Sequence, residues 1–260
     1  MKVRTFLSLM SGSLIVAASL QAAGLETLHS KCTIGLSEKT GEFRLRLQRE
    51  DCKDEDRCGE FSDNSVSRLT GISIGDLSRE GAQLTARIEG EAGTFSCAGT
   101  VRDSELRGQS TFVPNEEFAR RMGQMGFTGL DAEKLQVYTL FDINTAWVQS
   151  LKSAGITGLT SDNLIAVHIF HVDPAFVNSM ASMGYKVLDA DKLIALRVHK
   201  VNADEVKEIR GLGFDPTLDE LIQIRIFKIT PEFIRSMQSR GFEKLTISKL
   251  VQMKIFKLDE

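Results

Sequence analysis

The strongest constraint on this chain is a repeat. DADKLIALRVHKV at 189–201, PTLDELIQIRIFKI at 216–229 and LTISKLVQMKIFKL at 245–258 keep their apolar positions while the polar ones vary. Gly126, Gly155, Gly184, Gly213 and Gly241 are spaced 29, 29, 29 and 28 residues apart. Ile143, Val172, Val201, Ile229 and Leu258 follow at 29, 29, 28 and 29, so the two series keep step apart from one lost residue. A short unit of fixed period buries its apolar face only against its neighbours. Residues 113–260 are therefore expected to form an α-helical solenoid of five units of about 29 residues.

Each unit reads as two short helices. In TPEFIRSMQSRGF, Thr230 suits the cap, Pro231 the first turn and Gly241 the stop. Phe176 and Phe233, at matching places in their units, are expected to pack between helices. The second helix is expected to begin at Asp131, Thr160, Asp189, Thr217 and Thr246, all good N-caps. LIQIRIFKI also alternates like a strand, which leaves an α/β solenoid open, but the caps and the spacing of Leu193, Leu196, Ile194, Val198 and Val201 favour helix.

Residues 24–112 have a period of two instead. GEFRLRLQRE places Phe43, Leu45 and Leu47 on one face, QLTARIEG does the same with Leu84, Ala86 and Ile88, and TFSCAGTV and GQSTFV continue the style. A small antiparallel β domain follows, with hairpin turns expected at Gly90, Gly93, Gly99 and Gly108. SIGDLSREG reads as one short helix capped by Asp76 or Ser78 and ended by Gly81.

Lys2 and Arg4 precede an apolar run from Phe6 to Leu20 and then small residues, the pattern of a secretory signal over residues 1–23. A retained N-terminal anchor is the alternative. No later segment approaches the ~18 apolar residues of a membrane span, so the mature chain is expected to lack one and to be secreted or periplasmic. The four cysteines, Cys32, Cys52, Cys58 and Cys97, suit two disulfides in an oxidising compartment. Three pairings are open; Cys32 with Cys97, joining two expected strands, and Cys52 with Cys58, closing CKDEDRC, are favoured. The formal net charge of -3 provides no field for nucleic acid.

The alternation of TPEFIRSMQSRGF with LTISKLVQMKIFKL, and of DPAFVNSMASMGY with LDADKLIALRVHKV, resembles a helical repeat of bacterial proteins that lies downstream of antirepressor-type metallopeptidase or protein kinase domains. EGEAGTFSCAGTVRDSELRGQSTFVPN resembles the extended segment before those helices. The resemblance covers residues 83–258 and implies an interaction module. This chain departs from it in having no H-E-x-x-H and no Gly-rich nucleotide loop, so neither enzymatic activity carries over.

Chemistry-bearing clusters are sparse. His168 and His171 share a helix face in IAVHIFHV, but a zinc site needs three or four converging ligands, and His168 shares its repeat position with Thr139, Arg197, Arg225 and Lys254. A polar surface role is preferred over metal. DCKDEDRCGE lacks the ligand spacing of a calcium loop, and no nucleophile has a recognisable base, so no cofactor and no catalytic residue are expected.

Two polar columns run through the second helices. The first is Thr139, His168, Arg197, Arg225 and Lys254; the second, three residues on, is Asp142, His171, Lys200, Lys228 and Lys257. Stacked side by side they form a stripe that grows basic toward the C-terminus, either a solvated face or a binding surface. If it is a surface, reversing Arg197, Arg225 and Lys254 is expected to leave the thermal midpoint nearly unchanged. The expected fold is α+β, and the expected work is non-enzymatic binding of another envelope protein or an anionic ligand. The alternatives are a regulator or inhibitor of an envelope peptidase, and an enzyme with its site in the β domain or at the domain junction.

Overall fold

The computed structural model describes residues 24–38, 42–48, 64–66, 68–186, 188–242 and 244–257. The expected signal segment and the Cys52–Cys58 pairing lie outside them, as does Leu258. A six-stranded antiparallel sheet is followed by ten α-helices among the described residues.

The sheet comprises β1 (Leu28–Leu36), β2 (Phe43–Gln48), β3 (Asn64–Val66), β4 (Gln83–Gly90), β5 (Gly93–Arg102) and β6 (Glu105–Pro114), in the order β3-β2-β1-β6-β5-β4. Phe43, Leu45 and Leu47 of β2 are buried, as are Ala86 and Ile88 of β4, so the alternation in sequence is the alternation of faces. β6 ends at Pro114, two residues beyond the boundary drawn at 112.

Cys32 of β1 and Cys97 of β5 form a disulfide although β6 lies between their strands. Two strands apart in a flat sheet is about 9.6 Å, at about 4.8 Å per strand, whereas these Cα atoms are 6.1 Å apart. The sheet therefore curls at this point, and Gly108, opposite Cys32 on β6, permits it. A β-carbon at Gly108 would fall 2.0 Å from the Ala98 carbonyl oxygen.

Gly99 and Gly108 face each other within β5 and β6 and do not form a turn as expected. The β5–β6 turn is Asp103–Ser104, at φ 53° and 61°, a pair of left-handed residues that matches the twist of a two-residue hairpin. Gly90 and Gly93 do flank the β4–β5 turn, pairing across Glu91 and Ala92. The expected short helix is a 3-10 turn, Ile74–Ser78, started by Ser73: its N–H and hydroxyl both donate to Asp76 Oδ2, at 2.8 and 2.7 Å. Asp76 and Ser78 thus lie inside the turn, and Gly81 lies beyond Arg79, which closes it.

The first helices of the units are α1 (Glu116–Gln124), α3 (Thr145–Ser153), α5 (Pro174–Ser182), α7 (Ala203–Gly211) and α9 (Pro231–Ser239). The second are α2 (Ala132–Phe141), α4 (Asn163–Ile169), α6 (Ala190–Val198), α8 (Leu218–Ile226) and α10 (Ile247–Ile255). The segment LIQIRIFKI is thus helical up to Ile226. Asp131, Asp189, Thr217 and Thr246 accept backbone N–H groups as N-caps. Thr160 sits two residues before the N-cap position, Asp162, exchanging hydrogen bonds with Asn163 at 2.8 and 3.1 Å, and α4 is correspondingly short. Ile156–Thr157 and Leu188–Asp189 add a two-residue parallel pair, β7 and β8.

Successive second helices touch: α2 on α4, α4 on α6, α6 on α8, α8 on α10. α2 also packs on β4, β5 and β6, so one apolar core runs from Phe95 and Phe112 through Phe118 and Tyr138 to Leu193, Leu221 and Leu250. Phe118 and Tyr138 meet edge to face at 6.3 Å. At the same junction Glu91, on the β4–β5 turn, accepts from the Thr145 N–H and hydroxyl at 3.3 and 2.8 Å, tying the hairpin to the start of α3.

Candidate binding edge of the second helices

Each second helix leaves by the same five-residue exit: TLFDI, HIFHV, RVHKV, RIFKI or KIFKL. The fifth residue is buried where it is described, at Ile143, Val172, Val201 and Ile229, and its N–H bonds back five residues into the helix at 2.9 Å. Turning the chain back so sharply requires a left-handed residue at the fourth position. Asp142, His171, Lys200, Lys228 and Lys257 take it, at φ 57°, 53°, 56°, 52° and 51°. The second column is thus a column of turn residues. First helices turn on glycine at φ 83–97°, outside the basin near +50 to +70° open to other residues. Asp and His are enriched in that basin, but lysine is not.

The ends are in register at both edges. On the N-terminal edge Lys134 Nζ lies 2.6 Å from Asp162, Asn163 donates to Asp191 at 3.2 Å, and Lys192 pairs with Asp219. At the C-terminal edge Arg197 Nε donates to the His171 carbonyl at 3.0 Å, and Arg225 Nε to the His199 carbonyl at 2.9 Å. Arg68, from the β domain, makes the same kind of bond to the Thr139 carbonyl and lies 3.4 Å from Asp142.

These bonds divide the sequence-derived candidates. Arg197 also lies 4.3 Å above the Phe176 ring, Lys254 lies 4.0 Å above Phe233, and Arg225 pairs with Glu205 at 3.2 Å. Phe176 and Phe233 are buried as expected. The first column therefore caps helix ends and covers aromatic rings. Charge reversal at Arg197, Arg225 and Lys254 would cost stability, contrary to the expectation from sequence. His168 is half-buried against Phe141 and Trp147, at 5.7 and 5.3 Å, and burial is the main cause that lowers its pKa. His171 is exposed, and no group of three or more metal-ligating side chains gathers among the described residues. Lys200, Lys228 and Lys257 are exposed, with no ion-pair partner among the described residues.

Sequence reasoning missed the apolar partners of these lysines. Ile169, Phe170, Val198, Ile226, Ile255 and Phe256 are 40–69% exposed, placing uncovered aliphatic and aromatic groups between the two polar columns. Val198 keeps the helical spacing but is exposed, because the helix ends there and the chain turns away. The signal was present in the recurring I-F-K, whose apolar letters merged with the helical period.

A separate open groove of about 390 Å³ lies between the Gly184–Lys186 segment and the start of α8. Tyr185 and Arg210 on its wall are already engaged: the Tyr185 hydroxyl donates to the Pro216 carbonyl at 2.8 Å, and Arg210 binds Asp215 and the Met183 carbonyl. No single helix among the described residues is long and apolar enough to cross a membrane. No family model, curated protein or solved structure matches the chain.

Proposed function

We propose that this is an exported, non-enzymatic binding protein whose helices act as a five-unit solenoid carried on the β domain, with the C-terminal edge of the second helices as its docking surface. The observation that carries the reading is that exposed apolar side chains alternate along this edge with lysines that have no ion-pair partner among the described residues. On the opposite edge Lys134 and Lys192 are ion-paired with Asp162 and Asp219, and Lys249 donates to the Lys244 carbonyl. Exposed apolar groups in contiguous rows mark interaction sites on soluble proteins, and repeat arrays use such extended surfaces for binding. The Cys32–Cys97 disulfide is compatible with an oxidising compartment.

The test is affinity capture from an envelope fraction with the full chain and with a Lys200→Glu, Lys228→Glu, Lys257→Glu variant, read by mass spectrometry. The reading expects a discrete partner that the variant loses. Equal capture by both proteins would remove the edge from consideration. A peptidase among the captured proteins would select the regulatory form of this function.

A further inference from the structure

We infer that the occupant of this edge is an extended, acidic polypeptide segment with apolar side chains, lying across the ends of α6, α8 and α10. This rests on the reading above and adds the chemistry and conformation of the partner. Lys200, Lys228 and Lys257 sit in a left-handed turn that does not favour lysine, are exposed, and lack ion-pair partners among the described residues. Of the matching lysines on the other edge, Lys134 and Lys192 are ion-paired with Asp162 and Asp219, and Lys249 donates to the Lys244 carbonyl. Three positive charges without an ion-pair partner among the described residues, beside Val198, Ile226, Ile255 and Phe256, complement carboxylates set among apolar groups.

One feature favours a polypeptide over an anionic lipid surface. The edge has a direction, from Asp142 and His171 to the three lysines, which a chain with its carboxylates at one end can match and a uniform bilayer cannot. Neighbouring helices lie about 8–10 Å apart, and an extended chain in the polyproline-II form rises about 3.1 Å per residue with three residues per turn, so every third side chain returns to the same face about 9.3 Å further on. The partner should therefore place an acidic residue at every third position across these three helices, with apolar residues between.

The experiment selects a phage-displayed library of random 12-residue peptides on the purified full chain. Recovered peptides are then measured against a Lys200→Gly, Lys228→Gly, Lys257→Gly variant, whose turns accept glycine. Expected are peptides with Asp or Glu in a three-residue period, binding the variant about tenfold more weakly and binding the wild type less tightly as salt rises. Peptides without acidic residues, or indifferent to the lysines, overturn the inference; if Ile226→Ser still abolishes their binding, the edge survives as a docking surface. Phosphatidylglycerol vesicles that sediment the wild type but not the variant, with no peptide recovered, make the occupant a membrane and also overturn it. Recovery of neither ligand overturns it as well.

Discussion

Arg197 and Lys200 stand three residues apart on one helix exit and do different work. Arg197 stacks on Phe176 and closes the end of α4, while Lys200 projects from a turn. Arg197→Ala should lower unfolding free energy by about 1–2 kcal/mol, for a partly exposed cation–π contact and a charged hydrogen bond. Lys200→Ala should change it by less than about 0.5 kcal/mol, because alanine meets the same left-handed strain. Denaturant unfolding of the two variants checks both values. His168 adds a pH dependence: its folded pKa is lowered from 6.5, chiefly by burial. The unfolded chain then binds the extra proton more readily, so this contribution is fully present above the unfolded value and is lost as pH falls below it. The thermal midpoint should drop between pH 7.5 and 5.5 in the wild type, and by less in His168→Gln. Sequence showed these columns as a period. It did not separate capping arginines from projecting lysines, because that distinction depends on which carbonyl or ring the neighbouring unit supplies.

At the level of elements, the disulfide and the glycines of the curled sheet act together. Cys32 and Cys97 are 65 residues apart in sequence, and opening a loop of that length by replacing both with alanine should cost about 4 kcal/mol. Chemical denaturation of Cys32→Ala, Cys97→Ala against wild type measures it; an unchanged midpoint would show that the link contributes little. The strands were legible from alternation, and so was the Cys32–Cys97 pair as one choice among three. The turn between β5 and β6 was not, because Asp103 and Ser104 adopt left-handed backbone without a glycine while Gly99 and Gly108 serve close strand approach. The second helices were legible from their caps, against β-branched segments that favour strands. Tertiary contact from unit to unit decides that competition.

For the whole molecule, the continuous core makes the first unit dependent on the sheet, since α2 rests on β4, β5 and β6. Residues 113–260 produced alone should therefore be less stable than the same helices in the full chain, whereas removing 230–260 should lower stability but leave the remainder folded; circular dichroism and thermal melts compare them. The proposed meeting of the lysine-bearing edge of the second helices with a partner is tested by photo-crosslinking in the host cell from a reactive side chain at Ile226, set against one at Asp191 on the opposite edge. A discrete adduct is expected from position 226 that disappears when Lys200, Lys228 and Lys257 are changed to glycine, and none from position 191. Adducts of equal yield from both positions, or an adduct at 226 indifferent to the lysines, would contradict it.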